Sequence, residues 1–369
     1  MTRRTLEVET LAAFDTHVRQ GSRRLNGWFV QSVDLTARSA TLAGVDPRGA
    51  VFLGCRFAPE IESSLRERGA LLFPRLPEAP FDPYRPGLYD AAELYGSGRY
   101  QASTDAAVYA WSQAAGHAPT LQHSLAAALH DHAITDALDE ATLGVDPRTV
   151  VGVMGGHALV RGEDDYRRAV ELGRRLAAAG RTVLTGGGPG AMEAANLGAY
   201  LSPWPDAVDE ALAILSAAPS YRPSIEDWIQ TGRAVRSRWP VEQAGKSLGI
   251  PTWFYGHEPT NVFATAIAKY FANALREDTL LHRCRGGIVY LTGQAGTVQE
   301  IFQAGTENFY AASAVQVAPM VLVGVEYWTK TLPAYPLLRE LARGRAMERA
   351  VHCVDSIEEA SALLLGPPD

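Results

Sequence analysis

"LTGGGPGAMEAANLGA", Leu184–Ala199, leaves an apolar run, passes through Gly186, Gly187, Gly188 and Gly190, and enters an alanine-rich helical pattern. Glycines after a buried strand let the backbone approach a ligand closely and adopt positive φ. The helix start that follows offers unpaired N–H groups and the positive end of a dipole to an anion. This is the layout of a phosphate cradle on a strand–loop–helix unit. The same letters also suit a tight βα turn with no ligand, because a short glycine string is a weak motif by itself. The surrounding elements decide its weight.

Strands and crossover-length helices alternate on both sides of this stretch. The apolar "TVVGVMGG" (149–156) precedes a helix in "EDDYRRAVELGRRLAAAG", where Tyr166, Ala169, Val170, Gly173, Leu176 and Ala177 recur at helical spacing and acidic residues crowd the first turn. After the glycine stretch come the strand "IPTWFYG", the helix "VFATAIAKYFANALRE", the strand "GGIVYLTG" and the helix "TVQEIFQAGTENFY". The strand "APMVLVGV", a helix from Pro336 to Arg343, the strand "AVHCV" and the helix "SIEEASALLL" complete the series. Such alternation predicts an α/β fold with a doubly wound parallel sheet of modified Rossmann type, with ligands at the carboxyl ends of the strands. Gly155 and Gly156 end the first of these strands and line the same expected crevice. Residues 202–250 interrupt the rhythm with prolines, tryptophans and helical periodicity. They form an expected helical insertion, either a lid over the crevice or packing against a sheet edge or a second subunit.

A second glycine-bearing loop, "YLTGQAGTVQE" (Tyr290–Glu300), opens another helix at the same predicted edge and brings a carboxylate into its first turn. Thr297 and Glu300 also have the spacing of a capping box, in which threonine caps the helix and glutamate reaches back to the cap's N–H. Both uses of Glu300 are open at this level.

Together, "GGGPGAMEAANLGA" and "GQAGTVQE" resemble the LOG-type nucleotide phosphoribohydrolases, the family labelled "lysine decarboxylase-like" and related to bacterial nucleotide 5'-monophosphate nucleosidases. The resemblance spans about residues 149–369. The family pattern Pro-Gly-Gly-x-Gly-Thr-x-x-Glu falls on Thr292 to Glu300, where proline and the second glycine are replaced by Thr292 and Gln294 while Gly293, Gly296, Thr297 and Glu300 are kept. The resemblance implies hydrolysis of the N-glycosidic bond of a nucleoside 5'-monophosphate to a free base and ribose 5-phosphate, without a cofactor, by a homodimer or higher homo-oligomer. It implies Glu300 and Arg276 as catalytic groups, with Arg283 in reserve. Gly155, Gly156, Gly187, Gly188, Gly190, Met192, Glu193, Gly293, Gly296 and Thr297 would hold the nucleotide. Glu193 either meets the ribose hydroxyls or simply favours the positive helix end. The departure at Gln294 puts a Cβ where the family has glycine, which would crowd a ligand or exclude a left-handed backbone. The alternative that follows is a protein that binds or senses a nucleotide or phosphorylated cofactor without hydrolysing it.

The first half reads as a smaller α/β domain, residues 1–145, regulatory or oligomer-forming, with the Rossmann domain at 146–369. "GVDPRGAVFLG" (44–54) and "GVDPRTVVGVMG" (144–155) share a turn before a strand, a possible trace of duplication. The cluster His130, Asp131, His132 and Asp136 has metal-ligand residue types, but histidines two apart on a helix point to different faces. His257, Glu258 and Asn261, in "YGHEPTN", reach the crevice mouth or cap the next helix. Lys246, Lys269 and Lys330 offer no Schiff-base setting, which argues against pyridoxal phosphate.

Composition limits the classes. With 369 residues, 47% hydrophobic content and a net charge of -7, the chain has a large core and no basic face for nucleic acid or anionic lipid. Cys55, Cys284 and Cys353 form no paired motif, and no segment has the pattern of an export signal or membrane span, so a cytoplasmic protein acting on small molecules is expected.

Overall fold

The computed structural model describes residues 6–116, 119–254 and 258–366. The chain forms two compact units, one of residues up to Leu88 with Ala110–Glu140, the other of Tyr89–Tyr109 with the chain from Ala141 onward.

In the first unit, strands β1 (Leu6–Val8), β2 (Trp28–Gln31), β3 (Val51–Leu53) and β4 (Leu71–Phe73) pair in parallel in the order β1-β2-β3-β4. Leu6 registers on Trp28, Phe29 on Val51 and Val51 on Leu71, intervals of 22, 22 and 20 residues. Each interval is one coil of a short solenoid, with Val8, Val30, Phe52 and Leu72 stacked in its core. Gly27, Gly49 and Gly69, all at positive φ, occupy the same corner of successive coils, and each of the first two donates its N–H to the next glycine's carbonyl. This repeat runs inside the first unit. Duplication between the two halves is not what the shared pentapeptide reports, because the second sheet has a different strand order. Asp46 and Asp146 instead make the same local turn, each accepting from the N–H two residues on, at 3.2 and 3.0 Å.

The second unit contains β5 (Val150–Met154), β6 (Thr182–Thr185), β7 (Ser247–Gly249), β8 (Ala266–Ile267), β9 (Ile288–Tyr290), β10 (Met320–Val323) and β11 (Val351–Val354). They form one parallel sheet in the order β11-β10-β9-β5-β6-β7-β8. This is the expected doubly wound α/β architecture. The chain winds outward from β5 to β8, then returns to start β9 on the other side of β5. That reversal puts the topological switch point between β5 and β9, where open α/β sheets bind ligands.

Two expectations are corrected. The strand expected at 250–256 lies earlier, at Ser247–Gly249, inside the stretch assigned to the insertion; Tyr255 and Gly256 are outside the described residues. The helix expected over Val262–Glu277 exists only from Asn273. The Asn261 side chain accepts from the N–H groups of Phe263 and Ala264, Thr265 bonds to Ser247, and Ile267 pairs with Tyr89 in both directions. These partners hold the backbone extended, so tertiary pairing overrides the helical spacing of the side chains.

The glycine-loop helix Ala191–Tyr200 is fixed by backbone-to-backbone packing on the helix Asp164–Ala178. A Cβ on Gly198 would lie 1.9 Å from the Val170 carbonyl, and one on Gly173 would lie 2.1 Å from that of Ala195. Both helices therefore need glycine at their crossing.

Candidate functional site

Three glycine-bearing loops meet at one residue, Gly156. Its N–H donates to the Thr292 carbonyl at 3.0 Å, and its carbonyl accepts from Ala191 N–H at 3.1 Å. The loop after β5 is thus stitched to the loop after β9 and to the first residue of the glycine-loop helix. Gly155 lies in the same tight layer, where a Cβ would come within 3.0 Å of Ala191 and Leu291. Gly293 faces it from the other loop. A Cβ there would lie 2.2 Å from Thr297 Oγ1 and 3.1 Å from Gly156 N, and its carbonyl accepts from Tyr327 Oη at 2.6 Å.

The β6 loop is braced from β7 and the segment after it. Asn261 donates its backbone N–H to Gly187 O at 2.9 Å and its side-chain amide to Gly188 O at 3.1 Å. The same amide reaches Asn196 Oδ1, which accepts from Thr185 Oγ1, and Asn196 in turn donates to Ser247 Oγ. Asn261 is therefore a clamp on the loop, a role closer to the turn-capping alternative than to a crevice-mouth group. Met192 lays its thioether against Gly186 and Gly188. Glu258 sits near Gly188 and lies 3.3 Å from His157 Nδ1, the two half-exposed side chains marking the crevice mouth. His257 is outside the described residues.

Gly190 closes this loop at φ +71°, with the position of a Cβ 2.4 Å from the Gly156 carbonyl. Gly190→Ala is expected to cost several kcal/mol, the left-handed penalty of about 1–2 kcal/mol plus the clash. Thermal unfolding would show the loss, and an alanine variant as stable as the native chain would contradict this packing.

Arg276 and Glu300 converge from two helices. Arg276, in Asn273–His282, is 7% exposed; its Nε donates to Ile250 O at 2.7 Å, Nη2 to Gly186 O at 3.2 Å and Nη1 to Glu277 Oε1 at 2.5 Å. It links the carboxyl ends of β6 and β7 while bringing Glu277 into the site, a residue the sequence motifs do not flag. Glu277 Oε2 is buried and meets no hydrogen-bond partner among the described residues.

Glu300 lies in the helix Ala295–Phe309, which starts two residues before Thr297. Thr297 is therefore interior to the first turn, and Gln294 is the N-cap, without a side-chain cap bond. The capping-box use of Thr297 and Glu300 is excluded, whereas Ser356 with Glu359 does form a capping box. Gln294 has φ -107°, so the backbone here is not left-handed and its Cβ is tolerated. Gln294, Ala295 and Gly296 are exposed, and no atom lies within 4 Å of a Cβ added at Gly296. The helix start is open to solvent.

The Glu300 carboxylate accepts no hydrogen bond among the described residues and is 7% exposed. Burial pushes its pKa up to about 8, the Arg276 charge opposing this and the Glu277 charge adding to it.

Two expected site residues are placed elsewhere. Arg283 caps the other end of its helix, where its Nη1 donates to Thr142 Oγ1 at 3.2 Å. That end adjoins the start of β5, since Gly286 N–H bonds Val150 O, so Arg283 is at the amino edge of the sheet and away from the glycine loops. Glu193 is fully buried with both oxygens on Arg161: Nε donates to Oε2 at 3.0 Å and Nη2 to Oε1. Arg161 also donates to the carbonyls of Ala218 and Trp228 and to Thr231 Oγ1, and stacks over the Trp228 ring. Glu193 thereby anchors the inserted helices and, at 0% exposure, is sealed from any ribose in the crevice. Among the other candidates, His130 is buried and His132 exposed on opposite helix faces, and Lys269 is buried against Asp105 at 2.5 Å.

The sheet order and the loops at its switch point define a doubly wound, Rossmann-like α/β protein. Residues 148–202 match the family model "SLOG cluster4 family", a stretch covering β5, β6 and the glycine loop between them and the next helix. No curated protein sequence matches the chain. Among solved structures, the chain is similar to the molybdenum cofactor binding protein of Rippkaea orientalis, at 19% identity over 58% of this chain and 93% of that one, TM-score 0.36. It is also similar to the Moco carrier protein of Chlamydomonas reinhardtii, at 19% identity over 58% and 93%, TM-score 0.34. Likeness at this level says nothing about ligands. Among the described residues, no helix is long and apolar enough to cross a membrane.

Proposed function

We propose that the second unit binds a nucleoside 5'-monophosphate at the β5/β9 switch point and hydrolyses its N-glycosidic bond. The observation that carries this reading is Glu300, buried near Arg276 with no hydrogen-bond partner among the described residues, under loops whose helix start at Gln294–Gly296 is open to an anion. The phosphate would sit on the loop amides and the helix N-terminus, which orients the sugar at little further entropic cost. Cleavage breaks the C1'–N bond and forms a bond from C1' to a water oxygen, with one proton passing to the base nitrogen. Glu300, held protonated around neutral pH, is suited to give that proton, and the carboxylate it leaves stabilises the oxocarbenium-like sugar and then takes up the proton that the attacking water loses. Arg276 supports the Gly186 carbonyl and with it the cradle.

A second reading, binding of a nucleotide or phosphorylated cofactor without cleavage, is favoured by the Arg276 guanidinium. Three of its N–H groups are committed to protein acceptors, as in a structural brace. Incubating the protein with a panel of nucleoside monophosphates, with free base and ribose 5-phosphate measured chemically, separates the two. Submillimolar binding by calorimetry with no base released from any of them would refute hydrolysis and support the second reading.

The raised Glu300 pKa also predicts a stability effect. The folded state keeps this proton up to about pH 8, whereas the unfolded chain releases it near 4.5. The folded state binds more protons between these values, so the Glu300 contribution is complete below about 4.5 and is lost as pH rises to about 8. Thermal melts of Glu300→Gln should lack this downward slope; an identical slope in the variant would place the titration elsewhere.

A further inference from the structure

The cluster beside the glycine loops holds one guanidinium and two carboxyl groups, all at least nine-tenths buried: Arg276, Glu277 and Glu300 at 7%, 3% and 7% exposure. Were both carboxyls ionised, the buried set would carry an uncompensated negative charge, which a low-dielectric site resists by binding a proton. The geometry decides which carboxyl takes it. Glu277 holds the charge-assisted bond to Arg276 Nη1 at 2.5 Å, while Glu300 has no hydrogen-bond partner among the described residues.

We propose that Glu277 is a positioning residue that engages the Arg276 guanidinium and so reserves Glu300 as the protonated acid of the site. The remaining groups that face Glu300 support this. Cys284 and Tyr290 are fully buried, and burial pushes both of their pKa values up, so neither supplies a competing charge. Glu300 itself is displaced upward by burial, with Arg276 the opposing charge and Glu277 reinforcing. Adjacent residues on one helix thus divide the labour: Arg276 ties the β6 and β7 loop ends together, and Glu277 offsets its charge. Without Glu277, Arg276 would face Glu300 alone and favour its ionised form.

The catalytic meaning of this device rests on the hydrolase reading, but its physical content does not, and the test keeps them apart. The protonated carboxyl of Glu300 can be followed by infrared difference spectroscopy across a pH titration, assigned as the band missing in Glu300→Gln. In Glu277→Gln, the midpoint of that band is expected to fall by about one to three pH units, the usual effect of an unopposed neighbouring cation. Glu277→Asp, which keeps the charge, should restore most of the native midpoint and also serves if the glutamine variant does not fold. A Glu300 midpoint unmoved in Glu277→Gln, or one that falls as far in Glu277→Asp, overturns the proposal. Where base release is measurable, the alkaline limb of kcat against pH should move down in parallel with the spectroscopic midpoint; a moved midpoint with an unmoved limb would remove Glu277 from the reaction. Absence of base release in the native protein would defeat the hydrolase reading and leave the titration result standing.

Discussion

Glu300→Gln is expected to lower kcat for base release by about 10²–10⁴-fold, the range associated with a positioned general acid, while affinity for the nucleoside monophosphate stays close to native. The two parts of the expectation come from different structures within the site. The groups proposed to face the phosphate are backbone amides of loops stitched at Gly156 and clamped by Asn261, and glutamine at position 300 disturbs neither. The proposed acid, Glu300, has no hydrogen bond to lose among the described residues, so its amide isostere fits the same space and removes only the transferable proton. Stopped assays for free base together with calorimetric titration test both parts. Undiminished turnover in the variant would assign the acid elsewhere, and a collapse of binding would make Glu300 a group that holds ligand.

The largest stability effect is expected at Arg161. Arg161→Met leaves the Glu193 carboxylate buried without a counter-charge and frees the carbonyls of Ala218 and Trp228, at a cost of about 3–5 kcal/mol. For a unit of this size the melting temperature should fall by roughly 6–20 °C. The pairing makes a sharper forecast for the double variant: Arg161→Met with Glu193→Gln should recover part of the loss, because the uncompensated charge is gone. Scanning calorimetry of the two single variants and the double variant measures the coupling. Additive losses, or a single variant within about 1 kcal/mol of the native protein, would mean that this ion pair does not hold the insertion in place.

Much of the second unit is legible in the chain because it is written in local chemistry. Apolar runs of strand length, glycines at strand ends and helices of crossover length leave few arrangements other than a parallel, doubly wound sheet. The three loops at Gly155–Gly156, Gly186–Gly190 and Gly293–Gly296 could be placed at one edge for the same reason. The solenoid of the first unit was hidden by short strands and by a repeat whose sequence varies from coil to coil. Its one regular mark, glycine at 27, 49 and 69, becomes visible once the hydrogen-bond ladder is seen.

The roles of particular charges were another matter. Glu193 and Glu300 both stand in the first turns of helices behind glycine loops, and sequence offers no way to tell them apart. Position in space does so: Arg161 arrives from 32 residues away to neutralise one, and no described residue bonds to the other. Arg276 and Arg283 are likewise separated only by the helix between them, which carries one to the carboxyl edge of the sheet and leaves the other at the amino edge. The sequence by itself determined the fold class and the glycine loops, since backbone freedom, periodicity and residue type act over a few residues, while Arg276 and Glu300 were singled out only by the family resemblance. Tertiary structure alone decided that Glu300 meets no hydrogen-bond partner among the described residues, that Glu193 pairs with Arg161, that Glu277 bonds Arg276 and that residues 262–272 are not helical, because burial and charge pairing depend on partners the chain brings from far away.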